Sequence, residues 1–324
     1  MNRRKLLQYL ATLAPVAGVL PAQAQDAFPS KTIRIVVSSA PGALLDVASR
    51  LYAERMSAHL KQSVVVENMP GGGALLAVRH VAKSAPDGYT LLAVANTFTT
   101  VPSLNPRAGY AVKDFAGVGE MARSPSLLVV SGASSFKSIA DIVAAAKKGA
   151  GQVNYASGGL GTTSHLPVEV FSRQAGITLT HVPYKGNALA VPDVAANRVG
   201  FMMGTPTSLA ELMKSGALRA LAVTSETRSP RFPDVPTFKE LGYPEVSFDI
   251  WVGLLAPVAI AKAVRTRLGD AIEFARKDPS LIARLDTMGQ VISAVRTPEQ
   301  FDHVLHQEEE KYRKIIKDAN IVAD

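Results

Sequence analysis

The sequence of 324 residues contains no cysteine. This absence excludes disulfide bonds, thiolate chemistry and a cysteine-linked lipid anchor. The sequence also has no run of like charges, although lysine and arginine outnumber aspartate and glutamate by 35 to 27. Binding to nucleic acid requires a concentrated basic patch, so we expect no nucleic-acid partner. A mild basic excess is compatible with anionic ligands.

The N-terminal segment, residues 1–24, predicts an export signal. A basic start at Arg3 to Lys5 precedes an apolar run from Leu6 to Leu20 and a small-residue cleavage site that ends at Ala24. An N-terminal anchor is the less favoured alternative, because the run is short and interrupted by proline and glycine. We expect a periplasmic protein, exported by the general or the twin-arginine route. Loss of three basic residues leaves 32 against 27 acidic ones, a net charge of +5.

Strand and helix patterns alternate along the rest of the chain. Runs rich in β-branched residues predict strands at 32–38, 63–68 and 89–95, with helices between them. A second series runs from Ser126 to Thr224 and includes a helix that Ser138 caps. A segment with three prolines, a strand near Val246 and two or three long helices follow. The pattern predicts an α/β protein of two lobes with mostly parallel sheets, whose ligands lie at the carboxyl ends of strands.

Three loops that contain glycine precede predicted helices. The first, Ser38 to Asp46, offers two serine hydroxyls and the free N–H groups of a helix N-terminus. We interpret Asp46 as a carboxylate favoured by the helix dipole, not as a ligand contact. The third loop, Pro70 to Val78, has no hydroxyls and is interpreted as a flexible connection.

The second loop, within Asn154 to Phe171, combines three glycines with the hydroxyls of four serine and threonine residues. Glycine lets the backbone approach a ligand closely. The alternative is an ordinary glycine-rich turn with a threonine cap. The loop lacks the lysine of a phosphate-binding P-loop and the spacing of a dinucleotide site. Ser164 and His165 are adjacent, so their side chains should diverge, and no Gly-x-Ser-x-Gly motif occurs. The loop therefore predicts a neutral cradle for a carboxylate, and no enzyme.

The remaining histidines show no metal-ligand spacing with acidic residues, so we expect no metal site and no cofactor. They are His59, His80, His181, His303 and His306.

Seven segments together resemble one known family. They are "PSKTIRIVV", "VVVENMPGGG", "APDGYTLL", "NYASGGLGTTSHL", "HVPYKG", "LRALAVTSETRSPRFPDVPT" and "WVGLLAP". In this order they are similar to the Bug-type receptors, the extracytoplasmic solute-binding proteins of the tripartite tricarboxylate transporter family. The resemblance extends from Phe28 to Ala323. It implies a type II periplasmic-binding-protein fold with two α/β lobes, a hinge of two crossing segments and a cleft that closes on a small carboxylate.

The resemblance also implies lobe boundaries and a site. Lobe 1 would comprise residues 25–122 and 229–324, and lobe 2 residues 123–228. Two anion loops would grip one carboxylate, and residues after the third strand and after "VGFMM" would meet the far end of the ligand. The implied ligand-binding residues are Ser39, Ala40, Gly42, Ala43, Thr97, Ser157, Gly161, Thr162, Thr163, Ser164, Gly204 and Thr205.

Two departures from the family pattern bear on the ligand. Ala43, Leu44 and Leu45 replace small residues in the first loop, which should narrow the mouth of the pocket and make it apolar. Gly204-Thr205 replaces a polar pair that would recognise an amino group. We therefore expect a ligand that is not an amino acid, either a dicarboxylate or an apolar or aromatic carboxylate.

Three further side chains near the loops are assigned less specific roles. Lys185 and Arg50 are the nearest cations in sequence, and we interpret Arg50 as a solvated surface charge. Trp251 is expected to pack in the core. The function expected is capture of a small organic carboxylate for uptake by membrane transporter components. The alternative is a carboxylate sensor with a signalling partner; in either case we expect a monomer.

Overall fold

This computed structural model describes residues 28–318 and 321, which form two β-sheets flanked by helices. The predicted export signal, residues 1–24, lies outside them. No helix in the described ranges is long and apolar enough to span a membrane.

The strands and helices alternate in chain order as the sequence pattern predicts. The strands are β1 (Ile33–Val37), β2 (Val64–Asn68), β3 (Thr90–Ala95), β4 (Phe115–Pro125), β5 (Leu127–Ser131), β6 (Asn154–Ser157), β7 (Thr180–Pro183), β8 (Phe201–Gly204), β9 (Leu218–Val223), β10 (Asp249–Pro257) and β11 (Val291–Ile292). The helices are α1 (Leu44–Leu60), α2 (Leu75–Ala82), α3 (Thr97–Leu104), α4 (Ile139–Lys148), α5 (Leu166–Ala175), α6 (Asn187–Ala195), α7 (Pro206–Lys214), α8 (Lys262–Ala275), α9 (Pro279–Thr287) and α10 (Pro298–Asp318).

The strand order is β11-β4-β10-β3-β1-β2 in the first sheet and β7-β6-β8-β5-β9 in the second. Pairs among β1, β2 and β3, and among β6, β7 and β8, are parallel, whereas β10 and β5 run antiparallel to both of their neighbours. Four of the six strands in the first sheet and four of the five in the second therefore run in one direction, as expected, whereas β10, β11 and β5 are reversed. The reversal of β5 and β10 arises because the chain crosses between sheets twice, from β4 to β5 and back from β9 to β10.

The two crossing segments are tied together at a hinge. The Ser126 N–H donates to Thr224 Oγ1 at 2.9 Å, and the Thr224 N–H donates to the Ser126 carbonyl at 2.9 Å. Thr224 Oγ1 in turn donates to the Phe248 carbonyl at 2.7 Å. One buried threonine therefore links all three chain segments that meet between the sheets.

Helices cover both faces of each sheet. In the first sheet, α1, α8 and α9 cover one face and α2, α3 and α10 the other. Trp251, which lies on β10, is fully buried and packs edge-on against Phe301 with ring centroids 5.2 Å apart, which confirms the expected core packing. In the second sheet, α4 and α5 cover one face and α6 and α7 the other.

The last helix, α10, belongs to both cores. Phe301 and Leu305 from its first half lie in the core of the first sheet. Tyr312, Ile315 and Ile316 from its second half pack in the core of the second sheet. Because α10 passes the hinge, it connects the lobes independently of the two crossing segments.

The predicted strand near Val246 is wrong. The Val246 N–H bonds to the Tyr243 carbonyl in a turn, and the strand begins only at Asp249. Pro244 lies inside this turn and has no N–H for a sheet, which explains why the apolar pattern does not form a strand.

Candidate ligand-binding cleft

Four strand ends face the boundary between the lobes. Ala95, at the end of β3, pairs with Val252, three residues from the start of β10 at the hinge. Gly204, at the end of β8, pairs with Leu127, which follows the hinge residue Ser126. The loops after β1 and β6 leave the same edges. All twelve predicted site residues lie at or directly after the ends of β1, β3, β6 and β8.

The lobes touch on both sides of this boundary. A Cβ placed on Gly161 would lie 2.0 Å from Leu104 Cδ1, at the end of α3. On the other side, a Cβ on Gly289 would lie 2.7 Å from Pro206 Cβ, at the start of α7. The first contact joins the end of α3 to the loop after β6, and the second joins the start of α7 to the segment between α9 and β11.

The Asp46 side chain is hydrogen-bonded to the first loop. This side chain is buried and accepts hydrogen bonds from the Gly42 N–H at 2.8 Å, Asn68 Nδ2 at 2.8 Å and Arg50 Nε at 3.1 Å. Burial raises the pKa of Asp46, but the bonds from Arg50, Gly42 and Asn68 outweigh burial and hold it below the ordinary value. Asp46 is therefore bonded to the backbone of the first loop and lies in the first turn of α1, where the helix dipole favours a carboxylate.

Arg50 is half-exposed, yet it is not a free surface charge. Its guanidinium pairs with Asp46 at 3.0 Å and donates to Asn68 Oδ1 at 2.8 Å. The prediction of a solvated surface charge agrees with this exposure but did not include the two partners, because no local pattern shows that Asn68 lies beside this helix. Arg50 is linked to the first loop through Asp46 and Asn68, which both bond to the loop backbone.

The first loop leaves one polar atom free. Ser39 Oγ is buried and has no hydrogen-bond partner among the described residues. A buried hydroxyl without a partner costs free energy unless a ligand or water fills the site. The N–H groups of the first turn of α1 lie beyond the same loop and have no intrahelical acceptor. Ser39 and this turn together form a neutral donor set.

Leu44 and Leu45 do not line the pocket mouth, contrary to the prediction. Leu45 is buried in the core of the first sheet, and Leu44 packs against that core. They do not narrow the mouth of the pocket, because both belong to the first turn of α1 and turn toward the sheet. Ala43 remains at the loop, half-buried.

In the second loop, most hydroxyls bond within the loop. Ser164 Oγ accepts from the Gly158 N–H at 2.9 Å and donates to Asn187 Oδ1 at 2.8 Å. Thr162 Oγ1 donates to the Gly159 carbonyl at 2.7 Å. The Thr163 hydroxyl makes no hydrogen bond to the described part of the chain.

Two stacked histidines lie beneath the second loop. The rings of His165 and His181 stand 4.2 Å apart, and His165 Nδ1 accepts from the Gly161 N–H at 3.1 Å. His181 Nε2 lies 2.6 Å from Ser157 Oγ. Burial lowers the pKa of each histidine to about 4, so both rings are neutral near pH 7. The place of His181 beside this loop was not predicted, because it depends on the pairing of β6 with β7.

Ser164 and His165 are not arranged as a catalytic nucleophile and its general base. His165 Nδ1 is occupied by a backbone N–H, and its Nε2 faces Glu169 at 3.6 Å. Ser164 donates to an amide oxygen, not to an imidazole. A general base must reach the proton that it removes, and His165 does not.

The residues expected at the far end of the ligand, Thr97, Gly204 and Thr205, carry no charge. Thr205 Oγ1 lies 3.2 Å from Ser208 Oγ at the start of α7. Thr97 begins α3, directly after the buried Asn96. Lys185 is exposed beside α6. Asn96 was not predicted, since a single asparagine after a strand carries no signal of its tertiary contacts.

Two α/β lobes joined by crossing segments, with strand ends that face the boundary between the lobes, are the architecture of periplasmic solute-binding proteins. Residues 48–321 match the family described as "Tripartite tricarboxylate transporter family receptor". The chain belongs to this family, which confirms the resemblance. Its members are solute-binding proteins and not enzymes.

Three relatives place the chain within the family. Protein BugT of Bordetella pertussis is 30% identical over 98% of this chain and 98% of its own length. The structure of Rpa4515 from R. palustris with adipate is 30% identical, covers 91% of this chain and 99% of its own, and has a TM-score of 0.78. MatC from Rhodopseudomonas palustris with bound malate is 27% identical, covers 89% and 100%, and has a TM-score of 0.75.

Proposed function

We propose that the protein captures a small organic carboxylate in the interlobe cleft and presents it to the membrane components of a tripartite tricarboxylate-type transporter. The observation that carries the proposal is Ser39 Oγ, a buried hydroxyl with no hydrogen-bond partner among residues 28–318 and 321. It lies at the carboxyl end of β1, before a helix N-terminus. A carboxylate oxygen would satisfy this hydroxyl and the free N–H groups of α1 at once.

The ligands of two relatives support a dicarboxylate. Rpa4515 is described with adipate and MatC with malate, and both acids carry two carboxylates. In this chain, one carboxylate would lie between Ser39 and Thr163, and the other would reach Thr97 and Thr205. These contacts are proposals, as are the remaining residues predicted at the four strand ends.

Neutral groups on the far side favour an acid without an amino group. An ammonium requires a carboxylate or several carbonyl oxygens, since burial of an unpaired charge is costly. Neither Gly204 nor Thr205 has a carboxylate side chain that could pair with an ammonium. We therefore propose that adipate-like acids bind in preference to aspartate and glutamate, with aromatic acids as the next class to examine.

We also propose that the chain is exported to the periplasm, is cut after Ala24 and acts as a monomer whose lobes follow the predicted boundaries. A sensing role with a signalling partner is the alternative. Deletion of the gene separates the two. Loss of uptake of a labelled acid indicates transport, whereas loss of a transcriptional response with unchanged uptake indicates sensing.

Thermal denaturation with a panel of acids tests the binding proposal. A ligand that binds only the folded state stabilises it by about 2.7 kcal/mol at a concentration of 100 times Kd. We expect adipate or a related dicarboxylate to raise the melting temperature and aspartate and glutamate to leave it unchanged. The Ser39→Ala variant should lose most of the shift. If the two amino acids give the larger shift, the proposed selectivity is wrong.

A further inference from the structure

A group of charged side chains lies beside the hinge, where β4, β10 and α10 pack together. It contains three carboxylates and two cations, namely Glu120, Arg123, Asp249, Glu308 and Lys311. Glu226 faces Asp249 from the surface, and the Tyr312 hydroxyl faces Glu308. We call the first five residues the hinge charge cluster.

The hinge charge cluster has more carboxylates than cations. Arg123 Nη2 donates to Glu120 Oε2 at 2.9 Å, and these two residues form a neutral pair. Lys311 donates to the Ser247 carbonyl at 2.6 Å and forms no ion pair with Asp249 or Glu308 in the described part of the chain. Two carboxylates thus share one distant cation. In a poorly solvated site such an arrangement retains a proton.

Of the two carboxylates without a paired cation, Asp249 has a buried Oδ1 with no hydrogen-bond partner among the described residues, and Glu308 is the one that contacts α3. Its Oε2 accepts from Trp251 Nε1 at 2.5 Å, and both of its oxygens lie 3.1–3.2 Å from Asn96 Nδ2. These donors are neutral. Burial raises the pKa of Glu308 to about 7, against the opposing effects of Trp251, Arg123 and Lys311.

Glu308 also connects the candidate site to the hinge. Asn96 and Thr99, whose Oγ1 lies 3.4 Å from Glu308 Oε2, flank Thr97 in the first turn of α3. One helical turn after Glu308, Tyr312 enters the core of the second sheet. The same side chain therefore contacts the helix that begins at the site and belongs to the helix that spans both lobes.

We propose that Glu308 is a positioning residue that couples capture of an anion in the cleft to uptake of a proton. The inference rests on the proposed function. A ligand carboxylate near Thr97 places a second negative charge close to Glu308, so the bound state favours the protonated side chain. The proton comes from solvent and returns to it when the ligand leaves, and no other bond changes. A role in packing alone would produce no proton exchange.

Trp251 allows a test that needs no ligand. It is the only tryptophan in the sequence, and its indole N–H bonds to Glu308. We expect its fluorescence to titrate with a midpoint near pH 7 in wild-type protein and in Glu310→Gln, an exposed control on the same helix. The titration should vanish in Glu308→Gln. A wild-type emission that stays constant between about pH 5.5 and 8.5 overturns the proposal, even if the glutamine variant does not fold.

Calorimetry with adipate and malate tests the coupling itself. At about pH 7.5, binding enthalpies in phosphate and Tris buffers should differ by an amount that corresponds to uptake of roughly half a proton, for a pKa shift on the order of one unit. The same shift makes Kd rise about tenfold from pH 6 to pH 9. Glu308→Gln should bind with no proton uptake and with a Kd independent of pH.

The outcomes separate the two proposals. Binding without proton uptake in wild-type protein overturns the role of Glu308 and leaves the proposed function intact. Proton uptake that persists in Glu308→Gln overturns it as well. If neither adipate, malate nor any other carboxylate binds, the proposed function is wrong. The proposed coupling is then wrong as well, whatever the midpoint of the Trp251 titration.

Discussion

Gly161 and Leu104 lie so close across the lobe boundary that a Cβ on Gly161 would be 2.0 Å from Leu104 Cδ1. Gly161 belongs to the glycine-rich loop after β6, and Leu104 ends α3. Gly161 also has φ +69°, a conformation that glycine adopts more easily than other residues. Contact between the lobes at this point therefore depends on the absence of a side chain.

Gly161→Ala should weaken ligand binding by holding the lobes apart. Gly176→Ala is the matched control, because its φ of +61° is similar but no atom lies within 4 Å of the added Cβ. Both variants should lose about 1 kcal/mol of stability, and only Gly161→Ala should lose affinity by calorimetry. Addition of Leu104→Ala should restore much of it. Equal affinity in the two single variants would show that this contact is not part of the closed state.

The Asp46 network predicts a loss of stability in acid. Because the folded-state pKa of Asp46 is lowered, its contribution is present above the unfolded value of 3.8 and is lost as the pH falls through the folded value. Asp46→Asn should reduce the free energy of unfolding at pH 7 by about 1–3 kcal/mol, since Arg50 loses its partner. Urea denaturation at pH 7 and pH 3 measures both effects. The exposed Asp270→Asn serves as control, and a similar loss in that variant would contradict the assignment.

The neutral histidine pair predicts a second effect of pH. The pKa of each ring is lowered to about 4 in the folded state, against 6.5 in the unfolded chain. The unfolded chain therefore binds more protons between these values, and stability should fall as the pH drops from 6.5 to 4. His165→Asn keeps an acceptor for the Gly161 N–H and removes the titration. Denaturation between pH 4 and pH 7 should show a shallower slope in this variant than in the exposed control His80→Asn; identical slopes would argue against it.

The hinge threonine can be tested by a pair of substitutions. Thr224→Val removes the hydroxyl that joins Ser126 to Phe248 and should cost about 1–3 kcal/mol, because two backbone groups lose their partner. Thr224→Ser keeps the hydroxyl and should cost only about 0.8 kcal/mol for the lost methyl group. Chemical denaturation compares them. A valine variant as stable as the serine variant would show that these hydrogen bonds do not hold the hinge.

Local patterns predict the parallel half of each sheet and fail for β4. The runs of β1, β2 and β3 are rich in buried β-branched residues, which signal strands directly. β4 contains Gly117 and Gly119, which weaken a strand pattern. The structure explains them, since a Cβ at either position would come within 2.8 Å of Phe301 or Ile272 on helices distant in sequence. Such contacts between distant segments leave no local signal.

The same limit applies to the candidate site. The glycines and hydroxyls of the two loops are visible in the sequence because each loop is one continuous segment. The roles of Asn187, His181 and Asn96 depend on contacts with other strands and helices. The bond from Ser164 to Asn187, for example, could not be predicted from the loop alone. Helix α3 was also not predicted, because its threonines and internal Pro102 are unusual in a helix.

Calorimetric titration of the mature protein with adipate tests the central claim most directly. We expect saturable binding of one molecule per chain, reduced at least tenfold in Ser39→Ala and unchanged in Ser30→Ala, whose serine is exposed and distant from the cleft. Absence of heat with adipate, malate and a panel of aromatic acids, from protein shown to be folded and free of bound small molecules, would contradict the account.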